Sequence, residues 1–158
     1  MYILLICFFF FTSIEKEKKE TTGKGNDDSN VLDNDCYGHW KYPSDCSPQN
    51  HTCQYYASWE TIGRGDDMRW HIETTNTQTW TGIGFSNDEK MSQTDSIIGW
   101  VDRNGRPFLM DTWINGYSSP KLDDRQDIVD ASGRIEKGVT TLEFTRKRIS
   151  NDEQVGTL

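Results

Sequence analysis

Residues 80–113 read WTGIGFSNDEKMSQTDSIIGWVDRNGRPFLMDTW, and three apolar runs inside them decide the fold. Trp80 to Phe85, Ser96 to Val101 and Arg106 to Trp113 are each short, rich in β-branched and aromatic residues, and bounded by turn formers, which is how strands read. Between the second and third, Arg103-Asn104-Gly105 predicts a tight hairpin, because Asn-Gly tolerates the positive φ angles that such turns need. The same texture recurs outward from this stretch. Tyr56 to Glu60 and Met68 to Glu73 alternate at period two, and Val139 to Arg146 closes the series. Met68, Trp70 and Ile72 face one way while Arg69, His71 and Glu73 face the other, so His71 reads as a solvated residue of a polar face. The chain carries no amphipathic helix, internal repeat or glycine-rich phosphate loop. Short strands at this spacing predict an all-β, immunoglobulin-like antiparallel β-sandwich, with helix confined to turns.

At 158 residues the chain holds one ordinary domain with one core. Only 34% of residues are hydrophobic, but 12% are aromatic, and large rings fill a thin sandwich core with few residues. Trp59, Trp70, Trp80, Trp100 and Trp113 are accordingly expected inside. The net charge of −8 argues against nucleic acid or an anionic lipid surface as partner, since either would be repelled.

Residues 2–11, YILLICFFFF, precede the small residues Thr12 and Ser13 and are too short a run to span a bilayer comfortably, so residues 1–13 read as a signal peptide. Residues 14–35 are almost devoid of apolar side chains and are expected to be a disordered polar leader. Asn50-His51-Thr52 is an N-glycosylation acceptor, which agrees with secretion. The expected location is therefore outside the cell or on the outer face of the membrane, with attachment only through an uncleaved N-terminal anchor or a C-terminal region beyond this sequence. Loss of the signal peptide removes Cys7 and leaves Cys36, Cys46 and Cys53 in an entrance segment, residues 36–58. One disulfide among these three is expected, with Cys36 as the preferred partner, although spacing does not fix connectivity. A zinc site using His39 and His51 is the alternative, but the spacings match no zinc-finger pattern.

From Trp59 to Asp152 the order of motifs resembles a DOMON domain. The resemblance rests on Gly82-Ile83-Gly84-Phe85-Ser86, Met91, Asp95 leading Ile97-Ile98-Gly99-Trp100, then Asp111, Pro120, Asp123, Gln126-Asp127 and Thr140 to Arg146. It implies residues 59–158 as the domain, an extracytoplasmic sandwich that binds a ligand or transfers electrons beside a redox domain or protein. It also implies one further strand after Phe144, so the domain is expected to lack its last strand and to belong to a longer monooxygenase or reductase. A missing strand would leave an unpaired edge.

Three ligands follow from the resemblance. Haem b would use Met91 as an axial ligand, yet His39, His51 and His71 all precede Met91, so the family's second ligand, a later His, has no counterpart. A Ca²⁺-like hard cation would be held by Asp95 and Asp127 with the carbonyls of Ser96 and Thr112, all oxygen donors. A carbohydrate or other small ligand would stack on exposed Trp or Tyr. The plain readings compete: Met91 as core packing, the aspartates as turn caps, Gly82 and Gly84 as room for a neighbouring Trp. No nucleophile elbow, HExxH, GxGxxG or His-rich copper pair occurs, so the expectation is a module that is not itself an enzyme.

Overall fold

The computed structural model describes residues 2–7, 10–14, 37–86, 88 and 90–148. Its strands are β1 (Tyr2–Cys7), β2 (Phe10–Ile14), β3 (Tyr37–Tyr42), β4 (Tyr55–Ile62), β5 (Asp67–Thr74), β6 (Thr81–Ser86), β7 (Thr94–Val101), β8 (Pro107–Ile114), β9 (Lys121–Leu122), β10 (Ile128–Glu136) and β11 (Val139–Lys147). They form two antiparallel sheets, ordered β2-β1-β6-β7-β8-β9 and β10-β11-β5-β4-β3. Helix among the described residues is one short 3₁₀ turn, Pro48–Asn50. The predicted all-β sandwich is what forms.

Strand parity builds the core. Tyr55 and Ala57 of β4, Met68, Trp70 and Ile72 of β5, and Leu142 and Phe144 of β11 meet Ile83, Phe85, Ile97 and Val101 from the opposite sheet. Burying this apolar surface is the main stabilising term, at roughly 25 cal/mol per Å². The Tyr55 hydroxyl crosses the layer and donates to the Gly82 carbonyl at 2.8 Å, which ties the sheets together polar-to-polar.

Several expectations are amended. Of the five tryptophans placed inside, Trp70 is fully buried and Trp59 packs half-buried on the core. Trp100 instead pairs across strands with Phe108 and stacks on it at 5.1 Å, on the face of its sheet turned away from the core. Gly82 makes room for backbone and not for a Trp: a Cβ there would sit 2.5 Å from the Ile97 carbonyl. At the hairpin only Gly105 takes positive φ; Asn104 does not. The Asp102 carboxylate accepts the Asn104 and Arg106 amides there, so the turn is pinned by an aspartate.

The entrance segment is part of the sandwich, because β3 pairs with β4 from Tyr37 to Tyr42. The disulfide joins Cys46 to Cys53, with Cα atoms 5.0 Å apart, and so does not involve Cys36. The physical reason is local: the 3₁₀ turn at Pro48–Asn50 folds the chain back within seven residues. Cys36 and most of the expected polar leader lie outside the described residues. The edge of β6 is occupied by β1 over Tyr2 to Ile6, within the run read as a signal peptide.

Candidate functional site

Parity also drives charge inward at one place. On β11, Thr140, Leu142, Phe144 and Arg146 share the inner face; on β7 and β8 the same face carries Asp95 and Asp111. Arg146 is 1% exposed, Asp95 2% and Asp111 3%. Arg146 Nη2 donates to Asp95 Oδ2 at 2.7 Å, and its guanidinium lies 4.5 Å from the centroid of the Phe85 ring. Two buried carboxylates thus face one buried cation, and burial of charge is tolerated only where partners compensate it.

Compensation is incomplete. Asp95 Oδ1, Asp111 Oδ1, Arg146 Nε and Arg146 Nη1 have no hydrogen-bond partner among the described residues. Burial pushes the Asp111 carboxyl up to about 7, and the Asp95 charge adds to this, against the opposing pull of Arg146 and of the Asp127 amide. A proton on Asp111 would let the two carboxylates share a hydrogen bond.

The segment after β9 is clamped onto Asp111. Gln126 Oε1 accepts the Asp111 amide at 2.9 Å, Gln126 Nε2 donates to the Asp111 carbonyl at 2.9 Å, and the Asp127 amide donates to Asp111 Oδ2 at 3.1 Å. Asp127 therefore reaches the cluster through its backbone. Its side chain lies 3.8 Å from Arg125. Ser96 and Thr112 sit opposite each other on the outward face of their sheet, each hydroxyl bonded to the other's carbonyl at 3.1 and 2.9 Å. Of the four predicted cation ligands, the structure gathers Asp95 and the backbone of Asp127 around Asp111, while the two carbonyls belong to a separate hydrogen-bonded pair. Among the described residues no group of three or more His, Cys, Asp and Glu side chains is arranged for a metal ion.

Sequence reading missed Arg146 and treated Asp111 as one acid among several. The signal was there: each charged residue falls in register with apolar neighbours two positions away, which forces it inward.

The haem donors are not brought together. Met91 follows β6 in a half-buried position. His39 and His71 face outward from the opposite sheet, and His71 is not merely solvated: Nδ1 meets Glu143 at 2.8 Å and Nε2 meets Glu73 at 3.1 Å. His51 ends the 3₁₀ turn, 3.6 Å from Glu73. A Met/His pair around a haem does not fit these positions.

Comparison with known proteins identifies the family. Residues 51–158 match the model of the DOMON domain family. The human DOMON domain-containing protein FRRS1L is 29% identical over 105 residues, covering 66% of this chain and 34% of that protein. The human DBH-like monooxygenase protein 1 is 30% identical over 94 residues, 60% of this chain and 15% of that protein. Among solved structures, the cytochrome domain of Myriococcum thermophilum cellobiose dehydrogenase superposes with a TM-score of 0.48 at 18% identity, covering 70% of this chain and 55% of that one. The chain thus spans about a third or less of the length of these curated relatives. With two antiparallel sheets around one core and a family match over more than half its length, the chain belongs to the DOMON domain family.

Proposed function

We propose that this chain is an extracytoplasmic DOMON ligand-binding module, not catalytic by itself, whose buried Asp95–Asp111 pair exchanges a proton for a hard cation. The observation that carries the reading is the charge imbalance: two carboxylates, each with an unpartnered oxygen, against one arginine. Oxygen donors of this kind suit Ca²⁺ or a similar ion. The cation adds the positive charge that Arg146 alone does not supply, and it competes with the proton on Asp111. A redox domain or protein is the proposed partner, supported by a relative named as a monooxygenase of which the matched segment is a small part.

The sign of the pH effect follows from Asp111. Between its ordinary value of 3.8 and about 7 the folded chain holds a proton that the unfolded chain has released. Stability therefore falls as pH rises through that window, by at most about 1.4 kcal/mol per pH unit. Asp111→Asn is expected to flatten this slope in chemical denaturation followed from mildly acidic to neutral pH. Above the window the pair is ionised and cation binding stabilises the fold. Ca²⁺ should raise the melting temperature at alkaline pH, much less in mild acid, and less in Asp95→Asn than in the parent; Asp127→Asn tests whether that carboxylate is also a ligand. Identical melts with Ca²⁺ and with chelator at alkaline pH would sink the cation reading.

Secretion is supported by the Cys46–Cys53 disulfide, since such bonds persist in oxidising compartments. Asn50 is exposed at the end of the 3₁₀ turn and is the proposed glycan acceptor. Peptide mapping of protein secreted from a eukaryotic host, without reductant, should recover the Cys46 and Cys53 peptides linked, with hexosamine on Asn50. Unlinked, alkylated cysteines and a bare Asn50 would remove this support.

A further inference from the structure

The hairpin of β4 and β5 carries a motif that neither the core nor the carboxylate cluster uses. The two strands pair in unbroken register from Tyr55 opposite Thr74 to Ile62 opposite Asp67, which leaves a four-residue loop, Gly63-Arg64-Gly65-Asp66. Both glycines take positive φ, 65° and 87°, where a residue with a Cβ is strained. They close the turn. The Gly65 amide donates to the Ile62 carbonyl at 3.1 Å, and Gly65 is buried beneath the loop, while Arg64 and Asp66 on either side of it are exposed.

The loop stands on a rigid support. Beyond Asp66 the chain re-enters the core at Met68, followed by Trp70. The Asp66 carbonyl accepts the Arg148 amide at 2.8 Å, and Lys147 Nζ lies 3.4 Å from Asp67 Oδ1, so the end of β11 braces the hairpin from the side. Binding residues on a loop already fixed by its scaffold lose little entropy when a partner docks. With one glycine between them, the Cα atoms of Arg64 and Asp66 are at most about 7 Å apart.

Charge and spacing select the partner. A turn needs glycine at positive φ, but it does not need a cation and an anion flanking that glycine. A carboxylate is a hard oxygen ligand for Mg²⁺, Mn²⁺ or Ca²⁺, and a guanidinium pairs bidentately with carboxylates. A surface that offers an incompletely coordinated divalent cation beside an acidic pocket therefore fits both side chains of this loop at once. Adhesion receptors that read Arg-Gly-Asp turns have that chemistry. We propose that the β4–β5 hairpin docks such a receptor, with the Asp66 carboxylate completing the coordination of the receptor's cation and the Arg64 guanidinium entering the acidic pocket. Acting on a cell requires the extracytoplasmic location proposed above, but the purified chain binds wherever it resides, so the two readings fail separately. The carboxylate cluster takes no part.

The test immobilises the full chain and probes it with the purified vitronectin-receptor ectodomain in Mn²⁺. Binding should be saturable with a Kd of about 1 μM or tighter, lost in EDTA and competed by a linear Gly-Arg-Gly-Asp-Ser peptide. Asp66→Glu keeps the charge but moves the carboxylate by one methylene, so it should weaken binding by about tenfold or more, as should Arg64→Ala. Glu136→Asp, the same kind of change at an exposed acid on β10, should leave binding unchanged. Arg64 and Asp66 are exposed, so their variants should melt with the parent, which separates a docking defect from misfolding. No binding at about 10 μM receptor, binding that persists in EDTA, or binding that Asp66→Glu leaves intact overturns the proposal.

Discussion

Arg146→Met should destabilise the protein by about 3–5 kcal/mol, because it leaves two carboxylates buried without their cation. The guanidinium is 1% exposed and bonds Asp95 at 2.7 Å, so water does not take its place. The methionine keeps much of the volume against Phe85, which makes the loss electrostatic and not a cavity. If so, Asp95→Asn combined with Arg146→Met should recover a large part of it, and the single variant should be less impaired at pH 5 than at pH 8, since acid neutralises Asp111. Urea denaturation of the four proteins of the cycle at both pH values measures this. A cost under about 1 kcal/mol for Arg146→Met, or no coupling to Asp95, would mean that the pair is energetically idle.

Trp70→Ala should cost a comparable amount, about 3–5 kcal/mol, from the centre of the core. Trp70 is 1% exposed and touches rings on three other strands: Trp59 at 5.2 Å, Phe85 edge-on at 5.1 Å and Phe144 at 6.3 Å. Phe85 belongs to the opposite sheet, so the ring joins both layers. Its indole Nε1 has no hydrogen-bond partner among the described residues. Trp70→Phe should therefore lose much less than the alanine variant, because it removes an unsatisfied donor along with part of the ring. Denaturation midpoints for both variants decide the point, and equal losses would contradict it.

Alternation made the inner strands legible from sequence, and parity held for β4, β5 and β11. Among the strands that it did not reveal, β10 and β3 escaped for different reasons. β10, IVDASGRIE, is mostly exposed, and its pairing shifts register between Val129 and Ser132, with Asp130 at positive φ. β3, YGHWKY, has aromatic residues on both faces, with Trp40 packed on the core and Tyr37 exposed on the other side, so apolar and polar positions do not alternate. The candidate site was half visible. Asp95 was singled out through the family pattern, but its partner Arg146 lies 51 residues away, and no local signal specifies which inward charge meets which. Disulfide connectivity was hidden likewise: the 3₁₀ turn that closes the Cys46–Cys53 loop leaves little periodic trace in so short a segment.

The strand order has a consequence for how the chain reaches its native state. β3 with β4, β4 with β5, β6 with β7, β7 with β8 and β10 with β11 are all sequence neighbours that zip as local hairpins. The β5–β11 seam is different, since it joins residues such as His71 and Glu143, which stand 72 positions apart. Closing a loop of that length costs entropy before any contact across it contributes. The hairpins should therefore assemble early, and the seam that sets Phe144 on Trp70 and carries Arg146 to Asp95 should close later than they do. Interactions that form after the folding barrier hold the native state by slowing its opening. The buried ion pair then acts as a kinetic latch, and its loss shows mainly as faster unfolding, with the refolding rate little changed.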